Sequence, residues 1–179
     1  FNIKNSEIKN FFWNMFIADS LLGNFDRHNG NWGFLINEID NIHMIAPIYD
    51  CGFCLYPQAD ENLMKKILTN KAELEQRIYT YPNSAIKHQN VKINPYHFLL
   101  NTDNLDCINA LQAITARVDL IKIKEIIENT PYISDLHKEF LFTMIKERKN
   151  KILDVAIEKH FSSTKKEEYI KIPPLKKRY

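Results

Sequence analysis

Glycine is scarce in this sequence. Only Gly23, Gly30, Gly33 and Gly52 occur among 179 residues, where an average composition of about 7% would give roughly a dozen. All four fall within residues 23–52. Tight turns and close backbone approaches are therefore expected in that stretch, and regular elements joined without glycine elsewhere.

Cysteine is also sparse. Three residues, an odd number, exclude a disulfide scaffold and make a reducing cytoplasm the simpler expectation. No window approaches the roughly 18–20 uncharged apolar residues that cross a bilayer. Phe1 to Asn10 also lacks the charged-then-apolar order of a signal peptide, so the chain is expected to be soluble, unexported and without a membrane partner. The first residue is Phe1 rather than Met, which is expected of a piece of something longer.

What is present is ordinary for a globular protein: 45% hydrophobic and 26% charged residues. At about 100–200 residues per domain, one core is expected. Positive charge gathers at the end, where residues 164–179 carry six basic and two acidic side chains. We therefore divide the chain into a body, 1–163, and a basic tail, 164–179. Such runs are usually solvated ends. Trp13, Trp32 and the phenylalanines fall in apolar patterns that suit a core, so direct nucleic-acid binding is not expected.

The fold class expected is mainly α, a helical bundle with one short β-hairpin. Ser6 can cap a first helix, apolar on both sides through Phe16, Ile17 and Leu21, that is expected to be buried and to end at Gly23. Trp32–Ile36 and Ile42–Ile48 flank Asn37–Asn41 in the pattern of a hairpin, with Pro47 marking an edge. Leu63, Ile67, Leu74 and Ile78 predict helix over 60–80, broken near Thr69 and Asn70. Residues 83–94 read as loop. Cys107, Ala110, Leu111, Ile114 and Val118 predict another helix, and Ile123, Ile126 and Ile127 continue at helical spacing. Ser134 caps a long helix reaching about His160.

The chemistry lies in the glycine stretch. Asp26 and Asn31 stand five residues apart, and nineteen residues beyond Asn31 comes Asp50-Cys51-Gly52. Phosphoryl transfer asks for a carboxylate that accepts a hydroxyl proton, plus oxygen ligands that hold magnesium against nucleotide phosphates. Asp26, Asn31 and Asp50 supply that set. Aspartate, asparagine five later, a hairpin and then Asp-x-Gly is the order of a kinase catalytic loop and its metal-binding motif. Antiparallel strands would return the chain and set Asp50 beside Asn31. Taken singly, these are ordinary turn residues; the hairpin between them is what favours chemistry. Cys51 and Cys54 form a Cys-x-x-Cys, but no second pair or histidine cluster completes a zinc site.

The run Asp26-Arg27-His28-x-x-Asn31, with Ile45 to Gly52 downstream, resembles the HipA-like serine/threonine kinases. Phosphatidylinositol kinases share the first element, but Leu21–Asp26 and Ala46–Asp50 are more similar to the HipA segments. The resemblance covers residues 1–160 and implies a protein-kinase-like C-terminal lobe. It implies Asp26 as catalytic base, Asn31 and Asp50 as ligands of Mg2+, and His28 and Tyr49 near the phosphates of ATP. It further implies a protein substrate with a serine or threonine hydroxyl and an antitoxin-like partner. Asn24-Phe25-Asp26 departs from the more frequent Asn-Thr-Asp, and Cys51 stands where many kinases have phenylalanine. A kinase also needs a glycine-rich loop and a lysine from an N-terminal lobe. Residues 1–25 read as one helix, so that lobe is expected to be absent here and activity to need it. Two alternatives stay open: an inactive kinase-like module of a toxin–antitoxin system, and a lipid or small-molecule phosphotransferase.

Overall fold

A computed structural model describes residues 3–170, with side chains as far as Ser162. The expected mainly helical fold with a short hairpin is what it shows. Helix α1 spans Asn5–Leu22 and ends where Gly23 adopts φ 68°, its amide donating back to the Asp19 carbonyl. That left-handed cap is the use for which glycine is suited. The start differs from expectation. Lys4 occupies the cap position without a side-chain bond, and Ser6 lies inside the helix. Burial differs too: the second half, with Met15, Phe16, Ile17 and Leu21, is buried, while most of the first turns face outward.

The hairpin pairs β1 (Phe34–Asn37) with β2 (Ile42–Ile45) in the register Phe34 to Ile45 and Asn37 to Ile42. Ala46 extends it by donating to the Gly33 carbonyl at 2.9 Å. Both strands are shorter than the apolar runs predicted, because Trp32 instead packs on Phe12 and Phe34 and the chain leaves the ladder before Pro47. Asn37 closes the turn by accepting from the amides of Ile39 and Asp40.

Helices α2 (Glu61–Thr69) and α3 (Lys71–Glu75) meet at the expected break, where the Asn70 side chain caps α3. A wider π turn follows at Gln76–Thr80. The predicted loop contains a small second hairpin, β3 (Lys87–His88) with β4 (Val91–Lys92). Helix α4 (Pro95–Asn101) was not anticipated, although Asn94 as cap and Pro95 in the first turn are its start signals. Then come α5 (Leu105–Thr115), α6 (Leu120–Glu128) and α7 (Asp135–Arg148), the last capped by Ser134 as expected. A π turn, Lys149–Asp154, leads into α8 (Val155–Ile170). The expected body–tail boundary at 163/164 falls within that helix, which runs past His160; the rest of the basic tail, 171–179, lies outside the described residues.

Helix α1 packs against α5 and α7, α2 against α7, and α4 against α8. The main core unites Phe16, Ile17, Leu99, Leu111, Ile152 and Leu153. A second cluster of Met64, Ile67, Phe140 and Met144 packs with Tyr56. Truncating a fully buried phenylalanine such as Phe16 or Phe140 costs about 3–5 kcal/mol, and the main core, through Phe16, Ile17 and Leu21, holds the end of α1 rigidly. No helix among the described residues is long and apolar enough to cross a membrane.

Candidate active site

The C-terminal end of α1 launches the site. Asp19 is an acidic residue within the apolar run Phe16–Leu21, and it is buried. Its carboxylate receives Arg27 Nε at 2.8 Å, Arg27 Nη2 at 3.2 Å and the Asn24 amide nitrogen at 2.9 Å. Arg27 is fully buried. Burial opposes its charge, but the Asp19 carboxylate more than offsets this and holds the guanidinium above its ordinary value.

Arg27 then reaches both halves of the constellation. Its Nη1 donates to the Asn31 carbonyl at 2.5 Å and to the Tyr49 carbonyl at 2.6 Å. Its Nη2 contacts Cys51 Sγ at 3.7 Å. The Tyr49 hydroxyl donates to the Gly30 carbonyl at 3.1 Å, and Phe25 packs edge-on against Phe53 with ring centroids 5.0 Å apart. The segments around Asp26–Asn31 and Tyr49–Phe53 are therefore one unit. The expected return of the chain by the hairpin is realised, with Arg27 as its fastener.

Within the unit, Asp26 is half-buried. Its backbone is fixed by Asn24, which accepts from its amide at 3.1 Å, and by the Asn31 side-chain nitrogen, which donates to its carbonyl at 2.9 Å. Its carboxylate has no hydrogen bond or ion pair among the described residues, which leaves both oxygens available. Asn31 is buried; with Nδ2 committed to Asp26, Oδ1 is the end able to face a cation. Asp50 is exposed, carries φ 53° and has no ion pair among the described residues. Asparagine and aspartate are the non-glycine residues that best tolerate this conformation.

His28 is exposed and accepts the Gly30 amide on Nδ1 at 3.0 Å, so Nε2 is the nitrogen free to carry a proton outward. A Cβ at Gly30 would lie 2.9 Å from His28 Cε1, so any larger residue there would displace the His28 ring. A cavity of about 570 Å³ opens beside this loop, between His28–Gly30 and Ala85–Lys87, with Phe12 in its wall.

The donor set suits a hard cation. An amide oxygen and a carboxylate are what magnesium takes from a protein when phosphate oxygens complete its sphere. The described residues hold no group of three or more His, Cys, Asp or Glu able to bind a metal, and Cys51, Cys54 and Cys107 are free thiols.

Two arginines were missed as organisers of the site. Arg27 sits inside the motif, and its signal was a buried acidic partner in an otherwise apolar helix. Arg148, fully buried, donates from Nε and Nη2 to the Ser20 carbonyl at 2.9 and 2.7 Å and from Nη1 to the Arg77 carbonyl at 2.8 Å. Burial holds it below the ordinary guanidinium value, with the Tyr56 hydroxyl partly opposing. Tyr56 itself donates to the Arg77 carbonyl at 2.6 Å. Arg148 thus ties α1, the π turn and the segment leaving Asp50 together, and nothing local in its sequence announces this.

A helical lobe with a catalytic-type loop, a hairpin and an Asp-x-Gly turn locked into one unit is the build of a kinase C-terminal lobe. The comparisons agree. The chain is 57% identical over 155 residues to serine/threonine-protein kinase CtkA of Helicobacter pylori strain J99, a match covering 86% of this chain and 48% of that protein. A crystal structure of the H. pylori proinflammatory kinase CtkA matches with a TM-score of 0.88 at 54% identity, over 90% of this chain and 59% of that one. No protein-family model matches. The chain spans about half the length of CtkA. Sequence and fold together bear out the resemblance to a HipA-like kinase C-terminal lobe, and the chain is a kinase-like protein.

Proposed function

We propose that this lobe transfers the γ-phosphoryl group of ATP to a serine or threonine hydroxyl of a protein, with Mg2+ as cofactor. The observation that carries the reading is the joining of Asn31 and Tyr49 by one nitrogen of Arg27, since it holds a free carboxylate, an amide oxygen and a second carboxylate in one frame. In this reading Asp26 orients the acceptor hydroxyl and takes its proton as the oxygen attacks the γ-phosphorus. ADP leaves on the opposite side. Asn31 Oδ1 and Asp50 would hold magnesium, which when bound would neutralise charge on the phosphate oxygens. His28 Nε2 donates to a phosphate oxygen. Tyr49 lies beside the phosphates, with its hydroxyl proton spent on Gly30.

The exposed hairpin side chains Leu35, Ile42 and Met44, which share one face of the register, offer an apolar surface on which a nucleotide-covering lobe can rest. An inactive interaction module, which would bind an antitoxin-like partner, has no need of two unpaired carboxylates at these positions. The deciding experiment offers labelled ATP and magnesium to the full-length gene product, with protein, lipid and small-molecule acceptors in parallel. Label on protein serine or threonine supports the reading. Label confined to lipid or a small molecule, or no transfer at all, refutes it.

A further inference from the structure

One cluster beside the proposed site has no part in that chemistry. Cys51 follows Asp50 directly, and Cys54 stands three positions on. The Cys54 amide donates to the Cys51 carbonyl at 3.1 Å, closing a turn whose end Cα atoms lie within about 7 Å. A disulfide spans about 4.4–6.8 Å between Cα atoms, a range the ends of such a turn reach. The bond therefore needs little backbone movement.

The two sulfurs differ in surroundings. Cys51 is exposed and Cys54 half-buried. Burial, followed by the neighbouring Cys51, pushes the Cys54 thiol up to about 12, so the exposed Cys51 is the sulfur that an oxidant meets first. Cys51 Sγ also receives Arg27 Nη2 at 3.7 Å. Turning that sulfur toward Cys54 removes one of the contacts by which Arg27 holds the Asp50 segment.

We propose that Cys51 and Cys54 form a reversible disulfide that loosens the Asp50 turn from Arg27 and switches phosphoryl transfer off under peroxide. The switching of transfer rests on the kinase reading above; the bond itself rests on the Cys51–Cys54 turn and the exposure of Cys51. Hydrogen peroxide is the co-reactant. The Cys51 sulfur attacks one peroxide oxygen, the O–O bond breaks, and the thiol proton leaves in a first water, giving a sulfenic acid. The Cys54 sulfur then attacks the Cys51 sulfur, the S–O bond breaks, and the Cys54 proton leaves in a second water. Two thiols are oxidised and one peroxide is reduced to two waters. A dithiol reductant reverses the bond by exchange. Because a misplacement of ~1 Å at a reacting centre costs up to ~100-fold in rate, a loosened Asp50 would be sufficient to silence the site.

The test treats the chain with peroxide, alkylates the remaining thiols and maps the peptides, then follows amide hydrogen exchange across residues 49–56. The proposal expects a Cys51–Cys54 crosslink, Cys107 still reduced, and faster exchange in that segment that returns to its starting rate with dithiothreitol. A Cys54→Ser variant should form no crosslink and keep the slow exchange. In the full-length gene product, transfer should fall by about 100-fold and recover on reduction. Two thiols that both stay alkylatable, or a crosslink that leaves exchange unchanged, would overturn the proposal. A crosslink with faster exchange and undiminished transfer overturns the switch while leaving the kinase reading intact. Absence of transfer in both redox states refutes the kinase reading, and the exchange result still decides whether the turn is released.

Discussion

Arg27 holds the carbonyl oxygen of Tyr49 at 2.6 Å, twenty-two residues further along the chain. That contact converts two sequence motifs into one site, and the buried Asp19 carboxylate makes it affordable by compensating the cation. An exposed arginine would not hold two segments this firmly, because water would compete for every donor.

Removing the guanidinium strands a buried carboxylate. Arg27→Met should therefore destabilise the chain by about 3–5 kcal/mol, seen as a thermal midpoint lower by roughly 6–20 °C, at roughly 2–4 °C per kcal/mol for a chain of this size. Arg27→Lys keeps the charge beside Asp19 but cannot span both carbonyls. It should recover part of the stability in calorimetry while transfer by the full-length gene product stays depressed. Equal recovery of both would mean that Arg27 only stabilises.

The mainly helical class, the first hairpin, the break at Asn70 and the motif residues were legible because each rests on local signals: periodicity, turn chemistry and fixed spacing. Helix α4 was missed because its seven residues are too few to show a period, although Asn94 and Pro95 marked its start. The Ser6 cap failed because cap preference places a residue near a helix end without saying which turn comes first. The buried arginines were illegible for another reason. Arg148 meets Ser20 across 128 residues, and only the packing of α7 on α1 creates that contact.

The neighbouring glycines should respond differently to the same change. Gly23 has φ 68°, so Gly23→Ala forces a side chain into the left-handed region at about 1–2 kcal/mol. At Gly30 an added Cβ meets only the exposed His28 ring, which can swing away. Gly30→Ala should leave the thermal midpoint nearly unchanged and weaken nucleotide binding by the full-length gene product, measured by titration calorimetry. A large loss of stability at Gly30 would show that His28 is more tightly held than the structure indicates.

Alkaline pH should unfold the chain through its buried thiols. Burial raises Cys107 from an ordinary 9.0 to about 12. Below pH 9 the thiol is neutral in both folded and unfolded chains, so its contribution is fully present. Between about pH 9 and pH 12 only the unfolded chain ionises there, and stability falls by a few kcal/mol at most. Urea midpoints should decline across that window, and less steeply in Cys107→Ala. Identical slopes for the two proteins would exclude Cys107 as the source.

Asp26 and Asp50 make no ion pair among the described residues, so asparagine at either position removes charge without leaving a partner stranded. Asparagine also tolerates the φ of 53° at position 50. Asp50→Asn should keep its thermal midpoint within about 0.5 kcal/mol of the parent and lose magnesium-dependent transfer. Transfer that persists with its magnesium dependence unchanged would remove Asp50 from the ligand set.

The most direct test of the account is single-turnover phosphoryl transfer from ATP by the full-length gene product and by its Asp26→Asn variant, at equal nucleotide occupancy and with folding verified by thermal melt. The account predicts that the variant melts like the parent and binds nucleotide, yet transfers phosphate slower by at least ~100-fold, the range general-base catalysis supplies. A variant that transfers phosphate at the parent's rate would contradict it.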